Sequence, residues 1–176
     1  ADGQVFAPTA AYNMDIAAFF TKWLDDIVDS QSEEGAFGDV APRVTQTADG
    51  APAWGDAGVI LPLLLLERYG DRRVVERCYG PMARWIEYIR KANPGYIRRH
   101  RNNNNYGDWL SIGQQTPNEL VATAYYAWLA KLMARAAALL GVAEDVAYYE
   151  TLQQEIATAF RAEYLAADGT VGNGSQ

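Results

Sequence analysis

Apolar residues recur at intervals of three and four positions along most of the 176-residue chain, a spacing typical of amphipathic α-helices. The pattern predicts five long helices, at residues 8–30, 57–69, 72–92, 118–140 and 143–165. No stretch shows the strict apolar–polar alternation of a half-buried strand. The sequence therefore predicts an all-α fold in which about five long helices form antiparallel hairpins.

Glycine and proline mark the ends of these helices. Gly70 and Gly141 directly follow two of them, as C-terminal caps do, and Pro117 opens the fourth helix at its first position. Gly80 and Pro81 predict a bend or a break within the third helix. Two helix pairs are therefore joined by short turns.

Long polar segments, 31–53 and 93–117, connect the remaining helices. Short turns and long loops thus alternate along the chain. This alternation predicts that the short turns lie at one end of a helical stack and the long loops at the other. Long ordered loops in a compact domain are usually functional, so the loop end is the expected site.

The two long loops lead into related motifs, "WGD" at 54–56 and "GDW" at 107–109. An indole offers a flat apolar face on which the C–H face of a sugar can stack. A carboxylate accepts two hydroxyl hydrogen bonds, and such charge-assisted bonds are among the stronger ones. Carboxylates are also the usual groups of glycoside hydrolysis. The pattern therefore predicts binding of a polyhydroxylated ligand by Trp54, Asp56, Asp108 and Trp109.

Each motif also has a purely structural interpretation. Asp56 directly precedes a predicted helix, where its side chain could cap free N–H groups and contribute about 1 kcal/mol. The "GDW" motif could form an Asx-turn whose indole packs against the protein. The local pattern leaves both interpretations open.

Charge and composition narrow the classes of ligand. The formal net charge of −7 repels a phosphate backbone, so no nucleic-acid partner is predicted. A local basic cluster is interpreted as a solvated loop; its members are Arg98, Arg99, His100 and Arg101.

Cys78 is the single cysteine, which excludes an intramolecular disulfide and makes a cysteine-based metal site implausible. It is expected to pack as a small hydrophobe. No metal site and no cofactor are predicted. No apolar run reaches the ~18 residues that span a bilayer, so no membrane partner is predicted either.

Five motifs in order resemble one known family. They are "QVFAPTAAYNMD" (4–15), "APAWGDAGVILP" (51–62), "YGD" (69–71), "GDWL" (107–110) and "TPNELVATAYYAW" (116–128). Together they resemble the catalytic domain of bacterial α-L-rhamnosidases, over nearly the whole chain. The resemblance implies an (α/α)6 barrel, a toroid of six inner and six outer helices with the site in loops at one end. Five helices would be less than half of that toroid.

The resemblance also implies roles for single residues. Asp2 matches an acidic site residue of the family motif "GDAQVFAPTA", which here is "ADGQVFAPTA", so Ala1 and Gly3 depart from it. Asp56 matches the aspartate that binds the rhamnose hydroxyls, and Trp109 matches an aromatic residue that lines the sugar pocket. Trp54 and Asp108 belong to the same two motifs.

The family reaction inverts the anomeric centre, with one carboxylic acid protonating the leaving oxygen and one carboxylate activating water. The family motif "DCPQRDERLGW", which holds the acid, does not occur in the chain, and the glutamate that acts as base is expected beyond "GNGSQ". The resemblance therefore implies that residues 1–176 are a single fragment, cut at both ends, that lacks both groups.

A cut toroid would expose the flanks of its helices. Residues 118–140 are apolar around most of the predicted helix, as fully buried helices are. Exposed flanks would exceed the few hundred Å² of apolar patch that monomers usually show, so self-association through them is expected.

Two other functions share some of these features. A helical interaction module of the solenoid type needs a fixed repeat of ~34–47 residues, which the chain lacks. Another (α/α)6 glycosidase, such as a trehalase-like or debranching enzyme, shares the acidic and aromatic residues.

Overall fold

A computed structural model describes residues 2–44, 49–100 and 105–175 of the chain. The helices are α1 (Asp2–Asn13), α2 (Ala17–Asp29), α3 (Ala57–Tyr69), α4 (Arg72–Ala92), α5 (Asn118–Leu140) and α6 (Ala143–Tyr164). The described residues form no strand, only two isolated β-bridges, Gly38–Asp49 and Leu165–Val171. The predicted all-α class is therefore confirmed.

The prediction of one helix over 8–30 was wrong, because the chain breaks between α1 and α2. Asp15 accepts a hydrogen bond from Ala17 N–H at 3.0 Å, and Ile16 N–H donates to the Tyr69 hydroxyl at 3.0 Å. Ile16 is buried at the break, so its side chain continues the apolar periodicity although the backbone leaves the helix. The hydrophobic pattern alone therefore could not reveal the turn.

The predicted bounds of the middle helices are confirmed. Gly70 and Gly141 adopt left-handed φ angles of 69° and 79°, and their N–H groups donate to carbonyls of the last helical turn. This conformation costs glycine least, which explains both short turns. Pro81 lies inside a continuous α4, so the third predicted helix is not broken there.

Helix α3 lies at the centre of the molecule. It packs on α1, α2, α4 and α5, while α6 packs mainly on α5. Gly58 allows a close approach, because a β-carbon there would lie 2.7 Å from two ring carbons of the buried Phe37 and closer still to a third. The loop that holds Phe37 thus packs directly against the first turn of α3.

Two hydrogen bonds define the two ends of this stack. The bond from Ile16 to Tyr69 joins the α1–α2 turn to the end of α3. At the other end, Gln4 Nε2 in the first turn of α1 lies 3.4 Å from the carbonyl oxygen of Ala53. The α1–α2 turn and the first long loop therefore lie at opposite ends of α3.

Cys78 is buried on α4, and the prediction that it packs as a small hydrophobe is confirmed. Burial raises the pKa of its thiol and so favours the unreactive protonated form. Among the described residues, no helix has the length and apolar character needed to cross a bilayer. Over the same residues, no three acidic, histidine or cysteine side chains gather into a group that could hold a metal ion.

Candidate functional site

Trp54 lies in a tight turn, which we call the first site loop (residues 51–56). Ala53, just before the indole, has a φ of 66°, a conformation that costs a residue with a β-carbon about 1–3 kcal/mol. Its N–H donates to Asp56 Oδ2 at 2.7 Å, and Gly55 N–H donates to the Ala51 carbonyl at 3.0 Å. These bonds hold the strained turn and fix the point from which the indole projects.

Asp56 is completely buried, with 0% of its surface exposed. Its Oδ1 accepts from Trp85 Nε1 at 3.0 Å and from Arg98 Nη1 at 3.1 Å. Its Oδ2 accepts from Ala53 N–H and from the same Arg98 nitrogen at 2.9 Å. The side chain makes no capping bond to α3, so the helix-cap interpretation is wrong. Direct binding of sugar hydroxyls by Asp56 stays a prediction, and these internal bonds favour a positioning role.

The interpretation of the basic cluster as a solvated loop was wrong for Arg98. Only 2% of its surface is exposed, and its guanidinium carbon lies 5.4 Å from the Trp85 ring centroid. Arg99 does face solvent, where it forms ion pairs with Glu119 and Glu163. Arg101 lies outside the described residues. A run of cationic side chains is usually exposed to solvent. Arg98 is buried because it pairs with Asp56, 42 residues away in sequence.

The ring of Tyr106 lies between Trp54 and Trp109 and contacts both. The ring centroids of Trp54 and Tyr106 are 4.1 Å apart, and those of Tyr106 and Trp109 are 6.4 Å apart. We call these three residues the aromatic cluster. Trp109 is 72% exposed, so the packed indole of the structural interpretation is wrong. The structure thus brings both predicted tryptophans to one place.

Sequence reasoning missed Tyr106, although it directly precedes the "GDW" motif. Its neighbour Asn105 is buried and forms two hydrogen bonds with Asn118 at the start of α5. Asn105 Nδ2 donates to the Asn118 carbonyl at 2.9 Å, and Asn118 Nδ2 donates to the Asn105 carbonyl at 3.2 Å. These bonds anchor the second site loop (residues 105–117) to α5. An aromatic residue beside a recognised motif was the available signal.

Asp108 lies within the second site loop, beside Trp109. Its Oδ2 accepts from Thr116 Oγ1 at 2.9 Å and from Thr116 N–H at 3.3 Å. The partner is eight residues away, so these bonds close the base of the loop instead of forming an Asx-turn. Tyr106, Asp108 and Trp109 line an open depression of about 540 Å³. Its walls therefore combine aromatic faces with a carboxylate.

Asp2 lies in the first turn of α1, where its side chain is exposed and the helix dipole favours a negative charge. Gln4, two residues further on, is buried and reaches the carbonyl of Ala53. The first turn of α1 therefore lies beside the first site loop. All five residues predicted from the sequence belong to the same end of the helical stack.

The structure defines a class of protein, the α/α-hairpin domain with a site at its loop end. Its helices form antiparallel hairpins, and the loops at one end hold aromatic and acidic side chains. The family model described as the bacterial alpha-L-rhamnosidase 6 hairpin glycosidase domain matches residues 1–176. The chain therefore belongs to the bacterial α-L-rhamnosidase six-hairpin glycosidase domain family.

Individual relatives agree with this assignment. An α-L-rhamnosidase of Streptomyces avermitilis is 45% identical over 175 residues, which are 99% of this chain and 16% of the relative. An α-L-rhamnosidase of Formosa agariphila is 32% identical over 166 residues, covering 90% of this chain and 18% of the relative. The chain thus spans less than a fifth of the length of these two relatives.

The fold agrees as well. The crystal structure of the Streptomyces avermitilis α-L-rhamnosidase complexed with L-rhamnose matches 98% of this chain with a TM-score of 0.91, at 45% identity and over 16% of its own chain. The six helices described here therefore have the arrangement found in part of an α-L-rhamnosidase.

Proposed function

We propose that this chain forms one wall of the sugar site of a glycoside hydrolase that cleaves terminal α-L-rhamnose from glycosides. The observation that carries the proposal is the aromatic cluster, in which Trp54, Tyr106 and Trp109 meet at the loop end of the helices. Family membership supports the reaction class, and the Streptomyces avermitilis relative was solved with L-rhamnose. Since the chain covers so little of its relatives, we also propose that its hairpins are one arc of an (α/α)6 toroid.

The geometry suits a deoxy sugar with one apolar face. Trp109 is the most exposed ring of the aromatic cluster, so its face is accessible to the C–H groups and the methyl group of a rhamnose. Asp108 lies beside it on the same depression, where a carboxylate can accept hydroxyl hydrogen bonds. The rings and the carboxylate together would fix the orientation of the sugar.

Catalysis needs two further groups. An inverting glycosidase places a general acid and a general base about 6.5–9.5 Å apart, on opposite faces of the sugar, so that a water fits between base and sugar. The family resemblance implies that both groups lie outside these 176 residues. Asp2 is an additional acidic residue near the first site loop. We therefore propose that the isolated chain binds the sugar but does not hydrolyse glycosides.

Trp109→Ala is expected to weaken the binding of L-rhamnose to the isolated chain about tenfold, equivalent to about 1.4 kcal/mol. The reason is that the substitution removes the exposed stacking face and leaves the bonds that close the second site loop intact. Titration followed by ¹H–¹⁵N NMR chemical shifts measures the dissociation constant. The same samples are assayed for hydrolysis of an aryl α-L-rhamnoside, with no turnover expected.

Ile112→Ala is the matched control, because Ile112 is a fully exposed apolar side chain in the same loop. It should leave the affinity for L-rhamnose unchanged. Equal losses in both variants, or no binding by the unsubstituted chain, would contradict the proposed sugar site. Turnover at the rate of a full-length α-L-rhamnosidase would contradict the assignment of acid and base outside the chain.

We also propose that the isolated chain self-associates. Val5 and Phe6 on α1 are more than half exposed, and a groove of about 600 Å³ lies between α1, α3 and α5, with Leu64 and Trp128 on its walls. Apolar surface of this kind drives association in water.

Light scattering after size-exclusion chromatography is expected to give a dimer or a larger species. Phe6→Lys should shift the chain towards the monomer, whereas Ile112→Lys, remote in sequence and also exposed, should not. A monomer at every concentration would count against the proposed association.

A further inference from the structure

A buried ion pair joins the first site loop to the segment that precedes the second site loop. Arg98 Nη1 lies 3.1 Å from Asp56 Oδ1 and 2.9 Å from Oδ2, and both side chains are almost completely buried. Asp56 belongs to the first site loop. Arg98 belongs to the segment that connects α4 to the second site loop. The pair therefore bridges two segments that are 42 residues apart in sequence.

On the aspartate side, the pair acts on the backbone next to Trp54. Asp56 Oδ2 accepts the N–H of Ala53, the residue with the left-handed φ. The loop also lies tightly on Trp85, because a β-carbon at Gly55 would be 2.9 Å from the Trp85 ring. Any shift of the Asp56 carboxylate would therefore move the turn from which the first indole projects.

On the arginine side, the pair is tied to α5 and to the core. The backbone N–H of Arg98 donates to Thr123 Oγ1 on α5 at 3.0 Å, and its guanidinium lies over the Trp85 ring, 5.4 Å from the centroid. Asn105 and Asn118 make a second link between the loop and α5 through their mutual hydrogen bonds. Arg98 and the residue next to Tyr106 are thus both anchored to α5.

The hydrogen bonding of the pair argues against stability as its main purpose. A bidentate arginine–carboxylate pair uses two guanidinium nitrogens, whereas here Nη1 alone serves both oxygens. Within the described residues, Arg98 Nη2 is buried without a hydrogen-bond partner. A buried pair with an unsatisfied donor gains little over apolar residues of the same volume. What the pair does provide is a fixed geometry between the first site loop and the segment that precedes the second site loop.

We propose that Arg98, acting through Asp56, is a positioning residue that sets Trp54 against Tyr106 and so fixes the spacing of the aromatic cluster. Its relevance to sugar binding rests on the proposed function. The geometric part, the lock between the first site loop and the segment that holds Arg98, is independent of any ligand.

Arg98→Lys tests the lock, because it keeps the positive charge but shortens the side chain and removes the planar group that lies over the Trp85 ring. The readout is the set of ¹H nuclear Overhauser effects between the rings of Trp54 and Tyr106, whose centroids are 4.1 Å apart. These signals are expected to be lost or strongly reduced in the folded variant. The ring signals of Phe160 and Tyr164 on α6, with centroids 5.2 Å apart, should be unchanged.

Arg99→Lys is the matched control, since Arg99 is the next residue and pairs with carboxylates at the surface. It should leave the Trp54–Tyr106 signals intact. Unchanged Trp54–Tyr106 signals in a folded Arg98→Lys protein would overturn the proposal. An equal loss of these signals in Arg98→Lys and Arg99→Lys would also overturn it, because both substitutions would then be loosening the segment in general.

Hydrogen exchange of the unsubstituted protein provides a test that does not depend on a variant folding. If the ion pair locks the first site loop to the segment that holds Arg98, the amides of Ala53 and Arg98 become exposed in one opening event. They are then expected to show the same protection factor and the same dependence on low denaturant. Protection factors that differ tenfold or more would mean that the two segments open separately, and the proposal would fall.

A sugar titration separates this proposal from the proposed function. If L-rhamnose binds, Arg98→Lys should raise its dissociation constant several-fold while Arg99→Lys leaves it unchanged. If L-rhamnose does not bind, the proposed function fails, and the ring signals and the exchange data still decide the lock. Binding unchanged together with lost ring signals would confine the role of Arg98 to the geometry of the loops.

Discussion

Arg98→Met is expected to lower the free energy of unfolding by about 3–5 kcal/mol, the usual result of removing one partner of a buried ion pair. The Asp56 carboxylate would remain completely buried and would lose its only cationic partner among the described residues. Methionine replaces much of the arginine stem, so the expected loss comes from the uncompensated charge and only slightly from packing. Urea denaturation followed by far-UV circular dichroism measures the change.

Arg99→Met is the control for this stability measurement. Its ion pairs with Glu119 and Glu163 lie at the surface, where such pairs contribute about 0–1 kcal/mol. The double variant Asp56→Asn with Arg98→Met should lose less than the sum of its two single variants, because a neutral amide needs no cation. Similar losses for Arg98→Met and Arg99→Met would be inconsistent with a buried charge pair.

Gly58→Ala is expected to destabilise the protein by about 1–3 kcal/mol, the cost of overfilling a packed core. A new β-carbon would overlap the ring of Phe37, which is completely buried among other core residues. Alanine is the better helix former by about 1 kcal/mol, which offsets part of the loss. The steric term should exceed the propensity term, because the clash involves three atoms of a rigid ring.

Gly80→Ala makes the matched comparison, since Gly80 is also a helical glycine. The nearest atom to a β-carbon there is 3.9 Å away, so only the gain in helix propensity remains. That variant should be more stable by about 0.5–1 kcal/mol. The two substitutions should thus move the thermal midpoint in opposite directions, and a stabilised Gly58→Ala protein would refute the packing argument.

The parts of the fold that follow from local chemistry could be predicted from the sequence. Helices α3, α4 and α5 were placed correctly because their apolar periodicity is clear and glycine or proline marks their ends. The break between α1 and α2 could not be found in this way. It depends on a bond from Ile16 to Tyr69, 53 residues away, and the side chain of Ile16 continues the apolar stripe.

The same distinction between local pattern and tertiary contacts applies to the candidate site. The alternation of short turns and long loops predicted that the two tryptophan motifs share one end of the stack, and Tyr106 joins them there. The surroundings of Asp56 depend on tertiary contacts with Trp85 and Arg98, which local pattern cannot reveal. An aspartate before a helix resembles a cap, and a basic cluster resembles a solvated loop, until the two are seen to form one ion pair.

The short turn after α5 offers a site for attachment. Helix α5 begins at the second site loop and, at 1.5 Å per residue, carries the chain about 35 Å away from it before Gly141 reverses its direction. Val142 is exposed at that turn, whereas the native thiol of Cys78 is shielded in the core. A maleimide dye or a biosensor surface coupled through Val142→Cys would therefore leave the exposed indole of Trp109 facing the solution.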